Sequence, residues 1–491
     1  MFNEQRTMSN NYHLIFVVQL IEKFKIMNNY RLPCLLAFLY IVACNSNTEN
    51  KTPDATVAKD SAQATAVTYA MPDWALQSNI YEVNVRQYTK EGTFNAFAAS
   101  LPRLKEMGVQ ILWFMPITPI SVTDRKGKLG SYYAVQDYKA VNPEFGNMQD
   151  WKNLVVKAHQ MGFKVITDWV PNHTGADNGW LIRHPDFFIK DSITSKAKPA
   201  FDWSDTRDLN YDNKEMRDSM IAAMKFWLTE SGIDGFRCDV AWGVPDDFWK
   251  DCIAQLKKVK NVFMLAEGET GNLHRDGFDV TYPWEMFHAL NNIAAGKTNA
   301  LAIDSVLKKQ DSTFPAGAVR LYFTSNHDEN SWNKADYATM PGLKHAPFAV
   351  FTQTMRNSLP LVYSGQEEPV MDSISFFYKN PIKFGKYGRA KFYKTLLTLR
   401  STHPALATDA SFKEINVGDE KALYAYVREK AGHKIFVILN LPAKEQTIKI
   451  DDASVTGNPL NIFMGVKEAL TNGHSFNIEP WGYVLYDYDS K

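Results

Sequence analysis

The stretch IDGFRCDVAWG, residues 233–243, reads as the end of a buried strand that carries an arginine and an aspartate two positions apart. Side chains alternate along a strand, so Arg237 and Asp239 share one face and Cys238 takes the other. Charges on the face of an apolar strand are costly unless paired or used. Two readings follow: a structural salt bridge, or an active site at the mouth of a sheet. The segments on either side decide between them.

Upstream, IYEVNV (80–85), VQILWFMP (109–116) and FKVITDWV (163–170) read as strands. Downstream, VFMLAEGE (262–269), FDVTY (278–282), VRLYFTSN (319–326) and PLVYSG (360–365) do the same. Between them lie amphipathic helical patterns: Phe94, Phe97, Leu101 and Leu104; Trp151, Leu154, Val155 and Ala158; Met216, Met220, Met224 and Trp227. Gly108, Gly162 and Gly232 close these helices. Strand–helix alternation implies a parallel sheet, and eight units imply a closed (β/α)8 barrel of the TIM type over residues 71–400. A doubly wound open sheet has the same periodicity. Residues 171–213 interrupt the pattern with a polar and aromatic excursion after strand three, at the C-terminal mouth of the barrel. Beyond FYKTLLTLRSTHPAL the pattern turns to short strands separated by AGH, TGN and TNG. This predicts a C-terminal all-β sandwich over residues 401–491.

Composition narrows the partners. Lys+Arg and Asp+Glu are both 54, so nothing favours nucleic acid or an anionic membrane surface. The 12 Trp, 22 Tyr and 30 Phe suit either a large core or sugar rings, which offer C–H faces to aromatic planes. Cys238 and Cys252 read as core residues rather than a bridge. MNNYRLPCLLAFLYIVAC, residues 27–44, reads as an export signal that is too short to span a bilayer as a mature helix. Its Ile-Val-Ala-Cys end resembles a lipoprotein cleavage box. Residues 1–44 are therefore expected to be a signal/lipoprotein segment with Met27 as the true start, and Cys44 the lipidated first mature residue. Residues 45–70 lack bulky apolar periodicity and read as a flexible tether. The location expected is export and lipid anchoring at the outer membrane, on its periplasmic or cell-surface face, with Cys44 the only membrane contact.

The polar residues gather at strand ends, where such barrels place their chemistry. Strand three ends in Asp168, Asn172 and His173; strand four in Arg237 and Asp239; strand five in Glu267; strand seven in His327 and Asp328. Three acids and two histidines on one rim suit a metal site or glycoside hydrolysis. The histidines lie on different strands rather than at ligand spacing. Glycoside hydrolysis needs one carboxylate ionised and one carboxyl protonated. Arg237 would hold Asp239 charged, and the apolar run before Glu267 favours its protonated form. Asp239 is thus the nucleophile candidate and Glu267 the acid/base candidate.

DWVPNH (168–173), GFRCDVA (235–241), LAEGE (265–269) and FTSNHD (323–328), in that order, resemble the motifs of the α-amylase family of retaining glycoside hydrolases. SYYAVQDY (131–138), DLNYDN (208–213) and VYSGQE (362–367) resemble further segments of it. The resemblance implies Asp239 as nucleophile, Glu267 as general acid/base and Asp328 as the residue that binds the sugar's hydroxyls and distorts the ring. It places Arg237, His173 and His327 around the same subsite, Tyr133 stacked under the sugar, Asp137 on the sugar, and Asp168 orienting Arg237. It implies no required cofactor. Calcium is the one ion it suggests, because Asn172 and Asp208 match calcium-associated segments. Many members follow the nucleophile with a Lys-His pair that serves the acceptor side and calcium. Here Asp239 is followed by Val-Ala-Trp-Gly, which lacks that pair, and Trp242 is expected either to offer an aromatic acceptor surface or to pack in the fold. The expected function is double-displacement cleavage of α-1,4-glucosidic bonds in starch-type glucans or maltodextrins. Transglycosylation or a cyclomaltodextrinase-type activity would use the same site. A glucan-binding lipoprotein without catalysis is the alternative from another class.

Overall fold

A computed structural model of the chain describes residues 71–333, 342–370 and 372–489. The export segment, Cys44 and the tether lie outside the described residues. Among the described residues no helix is long and apolar enough to cross a membrane.

The strands run β1 (Ile80–Val83), β2 (Ile111–Phe114), β3 (Lys164–Trp169), β4 (His173–Gly175), β5 (Thr206–Asp208), β6 (Gly235–Cys238), β7 (Phe263–Ala266), β8 (Val280–Thr281), β9 (Val319–Tyr322) and β10 (Ser358–Tyr363). All but β4 and β5 close into one barrel in the order β1-β10-β9-β8-β7-β6-β3-β2, and every pairing in it is parallel. The eight strands read from the sequence are these eight, and the open-sheet alternative is excluded by the β1–β10 pairing.

Alternation along the strands sorts the side chains into two cores. Ile80, Ile111, Trp113, Ile166, Phe263, Leu265, Val280, Leu321 and Leu361 fill the barrel interior. Tyr81, Val83, Leu112, Phe114, Val165, Phe236, Cys238, Met264 and Val362 face the surrounding helices. Where the interior face continues toward the C-terminal strand ends, the same two-residue step delivers Glu82, Asp168, Arg237 and Glu267. An apolar plug therefore gives way to a charged layer within one or two residues. Gly235 permits the closest approach of β6 to β7: a Cβ there would lie 2.1 Å from the Phe263 carbonyl oxygen.

Three expectations are refined. Phe94 to Leu104 form two short helices, Phe94–Ala98 and Leu101–Glu106, rather than one. Pro102 fits the first turn of the second and cannot continue the first. The excursion is built on the antiparallel β4–β5 ribbon, with His173 opposite Asp208. The C-terminal part is a six-stranded antiparallel sheet, drawn from β11 (Ser411–Glu414), β12 (Leu423–Lys430), β13 (His433–Asn440), β15 (Leu460–Asn461), β16 (Val466–Lys467) and β18 (Tyr483–Asp487). β14 (Gln446–Ile450) and β17 (His474–Ile478) form a separate pair. Tyr424, Tyr426, Ile435, Val437 and Leu485 bury one face of the large sheet against Phe348, Phe351 and Leu396 of the barrel's helices. Ala425, Val427, Phe436 and Ile438 bury the other against Ile448, Ile450 and Ile478. Cys238 and Cys252 are both free and buried.

Candidate active site

Arg237 organises the charged layer. Its Nη1 donates to Asp168 Oδ1 at 2.9 Å and to Asp239 Oδ1 at 2.8 Å. Its Nη2 lies 3.2 Å from Glu267 Oε2. The arginine and Asp168 side chains are fully buried, while Asp239 is 10% exposed and Glu267 15%. One guanidinium thus borders three acids, of which Asp239 and Glu267 are partly exposed. β6 and β7 run side by side here: the Glu267 amide donates to the Cys238 carbonyl at 2.9 Å.

The turn after Asp239 adds a backbone donor. Val240 adopts φ 46°, ψ 39°, a left-handed conformation strained for a β-branched residue. In that conformation its N–H donates to Glu267 Oε2 at 2.8 Å.

A second chain of contacts comes from β1 and the end of β9. His327 Nδ1 lies 2.5 Å from Glu82 Oε1, and His327 Nε2 lies 2.6 Å from Tyr133 Oη and 3.3 Å from Asp328 Oδ2. Tyr133 Oη donates to Asp168 Oδ2 at 3.1 Å, which joins this chain to the arginine cluster. Both nitrogens of His327 face acceptors, the arrangement of an imidazolium. Asp328 is the most open member, with its side chain 34% exposed. The cluster therefore grades from a dry floor to a wet mouth.

Electrostatics follow from this burial. Burial and then the facing Glu267 carboxyl push Asp239 well above the ordinary carboxylate range, and Arg237 pulls it back. Arg237 is thus one influence on Asp239 among several, and the simple expectation that it alone keeps the aspartate charged omits the second acid. Burial raises Asp168 to about 6 against the pull of Arg237. Burial works against the charge on His327, yet Asp328 and Glu82 raise it to about 9. Burial alone takes His173 down to about 3, so it is neutral.

Aromatic rings surround the charged cluster. Tyr133 stacks with His327 at 5.4 Å and with Phe376 at 6.0 Å between centroids. Those two rings are 6.5 Å from each other, so they do not sandwich Tyr133, and the Arg237 guanidinium lies over the Tyr133 ring, 5.7 Å from its centroid. Trp332 extends this wall, 5.3 Å from Phe376. On the Glu267 side, Trp242 and Phe201 are 44% and 43% exposed with centroids 5.7 Å apart. Trp242 packs over Gly268, the residue after Glu267, where an added Cβ would lie 3.4 Å from the Trp242 Cβ. Trp203, at 5.2 Å from His173, links this patch to the β4–β5 ribbon.

The structure thus brings together Asp168, Arg237, Asp239, Glu267, His327, Asp328 and Tyr133, with His173 and Trp242 at the periphery. Asp137 stands apart: it is exposed, and its carboxylate accepts from the Lys139 amide at 2.8 Å within its own turn. The calcium expectation does not fit the residues present. The Asp208 carboxylate is taken by the Lys198 ammonium at 3.2 Å, and the Asn172 side chain turns to His173 Nδ1 at 3.3 Å. A fixed cation at the carboxylate that would bind the ion leaves a donor set short of the oxygens calcium requires. Glu82 was missed, although a charge inside IYEVNV is the same signal that singled out Arg237.

Comparison with known proteins agrees with this geometry. The model of the family described as "Alpha amylase, catalytic domain" matches residues 58–421. The chain is similar to α-amylase MalA of Haloarcula japonica, with 26% identity over 424 residues that cover 80% of this chain and 59% of that protein. It thus spans less than two thirds of that relative's length. It is also similar to neopullulanase 2 of Thermoactinomyces vulgaris, with 27% identity over 439 residues that cover 77% of this chain and 72% of that one. Among solved structures, the maltogenic α-amylase AmyB of Thermotoga neapolitana superposes with a TM-score of 0.77 at 27% identity, covering 84% of this chain and 99% of that one.

Proposed function

The chain belongs to the α-amylase family, and on that premise we propose that it is a retaining glycoside hydrolase that cleaves α-1,4-glucosidic bonds in starch-type glucans or maltodextrins. The observation that carries this reading is the single guanidinium of Arg237 bordering both Asp239 and Glu267.

In this reading Asp239 Oδ1 is held by Arg237, and Oδ2 attacks the anomeric carbon. Glu267 Oε2 is held as an acceptor by the Val240 amide, so the proton resides on Oε1, facing the leaving oxygen. Retaining hydrolysis needs one carboxylate ionised and one carboxyl protonated, and this reading gives Asp239 the first role and Glu267 the second. As the C1–O bond breaks, the Glu267 proton passes to the departing sugar and C1 forms an ester with Asp239. Glu267 then takes a proton from water, whose oxygen attacks C1 and releases the aspartate. Asp328 and His327 hold the sugar's hydroxyls, and the Tyr133 ring borders its C–H surface. His173, neutral in its pocket, acts as a hydrogen-bonding wall rather than a charge. No step requires a metal. Incubating the protein with amylose, pullulan, cyclodextrin and short maltodextrins tests the substrate class. Maltodextrin products with the α configuration are expected, and β-configured products would end the double-displacement reading.

A cyclomaltodextrinase-type or transglycosylating activity is the second reading, and Trp242 with Phe201 favours it. An aromatic pair beside the acid is a surface for an acceptor sugar, which competes with water there. Trp242→Ala is expected to raise the KM for maltodextrins about 2–10-fold and to lower the ratio of transfer to hydrolysis products when an acceptor sugar is added. An unchanged ratio would remove Trp242 from the acceptor side.

His327 gives the site a pH signature. Its ionisation is raised above the ordinary His value to about 9. The stability it contributes is therefore full below about pH 6.5 and is lost as pH rises through about 9. Glu82→Gln removes one of the two acids that hold the charge. The alkaline limb of the kcat/KM profile is expected to move down by about one pH unit. A limb that stays in place would show that Glu82 does not set His327. The apolar run Leu35–Val42 and Cys44 support export of this hydrolase and its lipid anchoring at the outer membrane.

A further inference from the structure

Three side chains that the catalytic reading does not use meet where the barrel's last helix joins the C-terminal sheet. His403 follows the helix Ala390–Thr402 as its C-terminal cap. His433 opens β13 after a tight turn in which Ala431 and Gly432 have φ of 53° and 85°. Asp489 lies two residues past the end of β18. The ligand-type atoms of His403, His433 and Asp489 all lie within 4.8 Å of one another.

The convergence is specific. His403 Nε2 lies 2.9 Å from Asp489 Oδ2, and His433 Nδ1 touches the same oxygen. His403 Nε2 is also 3.3 Å from Asp487 Oδ1. The two imidazoles stand nearly perpendicular, at 82° with centroids 5.8 Å apart, so their nitrogens aim at one point from different directions. The backbone fixes the approach: Ile435 pairs with Asp487 across β13 and β18, the Asp489 amide donates to Asp487 Oδ1 at 2.8 Å, and the Lys434 amide donates to Asp489 Oδ1 at 3.3 Å. His403 is 8% exposed and its Nδ1 is buried without a hydrogen-bond partner, so Nε2 carries the whole polar role of that ring. His433, 44% exposed, leaves an entry path.

We propose that His403, His433 and Asp489 bind a zinc-class divalent cation, with solvent in the fourth position. Two imidazole nitrogens and one carboxylate oxygen, completed by solvent, suit a four-coordinate zinc site, whereas calcium and magnesium favour oxygen donors throughout. Because the ligands come from the barrel's last helix and from two strands of the C-terminal sheet, the ion ties these parts together in the folded state only. Binding therefore stabilises the fold without touching the cleft.

The test uses the full chain, stripped with chelator and dialysed. Addition of Zn2+ is expected to give one tightly held zinc per chain by elemental analysis and a Tm higher by several degrees. Co2+ in its place is expected to give the visible absorption of four-coordinate cobalt. His433→Ala, at a half-exposed hairpin end, should weaken zinc binding by about 100-fold or more and abolish the Tm rise, with maltodextrin hydrolysis at ordinary temperature unchanged. Asp489→Asn should do the same and guards against a folding defect in the first variant. No zinc retained by the parent chain, or equal retention by both variants, would overturn the proposal and show a hydrogen-bonded His–Asp cluster instead.

Discussion

Glu267→Gln is expected to lower maltodextrin hydrolysis by roughly 1,000-fold or more while the Kd for maltodextrin changes little. The amide preserves the shape of the side chain, and its oxygen still accepts from the Val240 amide. It cannot carry the proton to the leaving oxygen, so the loss falls on the first chemical step. Reducing-sugar release gives kcat, and calorimetric titration gives the Kd. A substrate with an activated leaving group, which needs little protonation, should regain much of the rate in the first step. Hydrolysis within tenfold of the parent chain would remove Glu267 as the acid.

Arg237→Met is expected to abolish hydrolysis and to destabilise the fold by about 3–5 kcal/mol, the cost of leaving buried charges without their partner. Asp168 and Asp239 both contact the guanidinium directly, and the Asp168 side chain is completely buried. The pH dependence gives the sign. Asp168 already sits at about 6 with the arginine present, above an unfolded value near 4. An acid raised on folding binds more protons in the native state, so stability falls as pH rises between those two values. Without Arg237 the upward shifts grow, and the deficit against the parent chain should be small near pH 4 and complete above neutrality. Urea unfolding at three or four pH values checks this. A deficit independent of pH would mean that the loss is one of packing rather than of charge pairing.

Much of this arrangement was legible in the sequence because the barrel strands are short continuous apolar runs set between amphipathic helical segments. Ile-Leu-Trp-Phe in β2 and Phe-Met-Leu-Ala in β7 are apolar on both faces, as a strand between a packed barrel and a helix layer must be. Polar residues that continue the interior face past such strands have few explanations, and Arg237, Asp239 and Glu267 were found in this way. Glu82 obeys the same rule but sits inside its strand, and its partner His327 is 245 residues away in the chain. No local pattern shows that pairing. The cation at the calcium candidate was hidden for a similar reason: Lys198 reaches Asp208 from another limb of the excursion, and only the folded ribbon brings them together. Phe376 and Trp332, which complete the wall beside Tyr133, lie outside any motif. The break between Ala98 and Leu101 was marked by Pro102 but hidden by an apolar spacing that runs through it.

Val240 shows how a catalytic environment can be encoded without a catalytic side chain. What the acid meets at that position is a peptide hydrogen, aimed by a left-handed turn of the main chain. Many residue types could supply that hydrogen, and proline alone could not. Sequence comparison by side-chain identity is therefore blind to it. Two proteins could differ freely at this position and keep the same polarising donor, or match in every named acid and lack it because the turn has opened. In designing such a pocket onto another scaffold, the dihedral angles that follow the nucleophile are as much a part of the blueprint as the acids themselves.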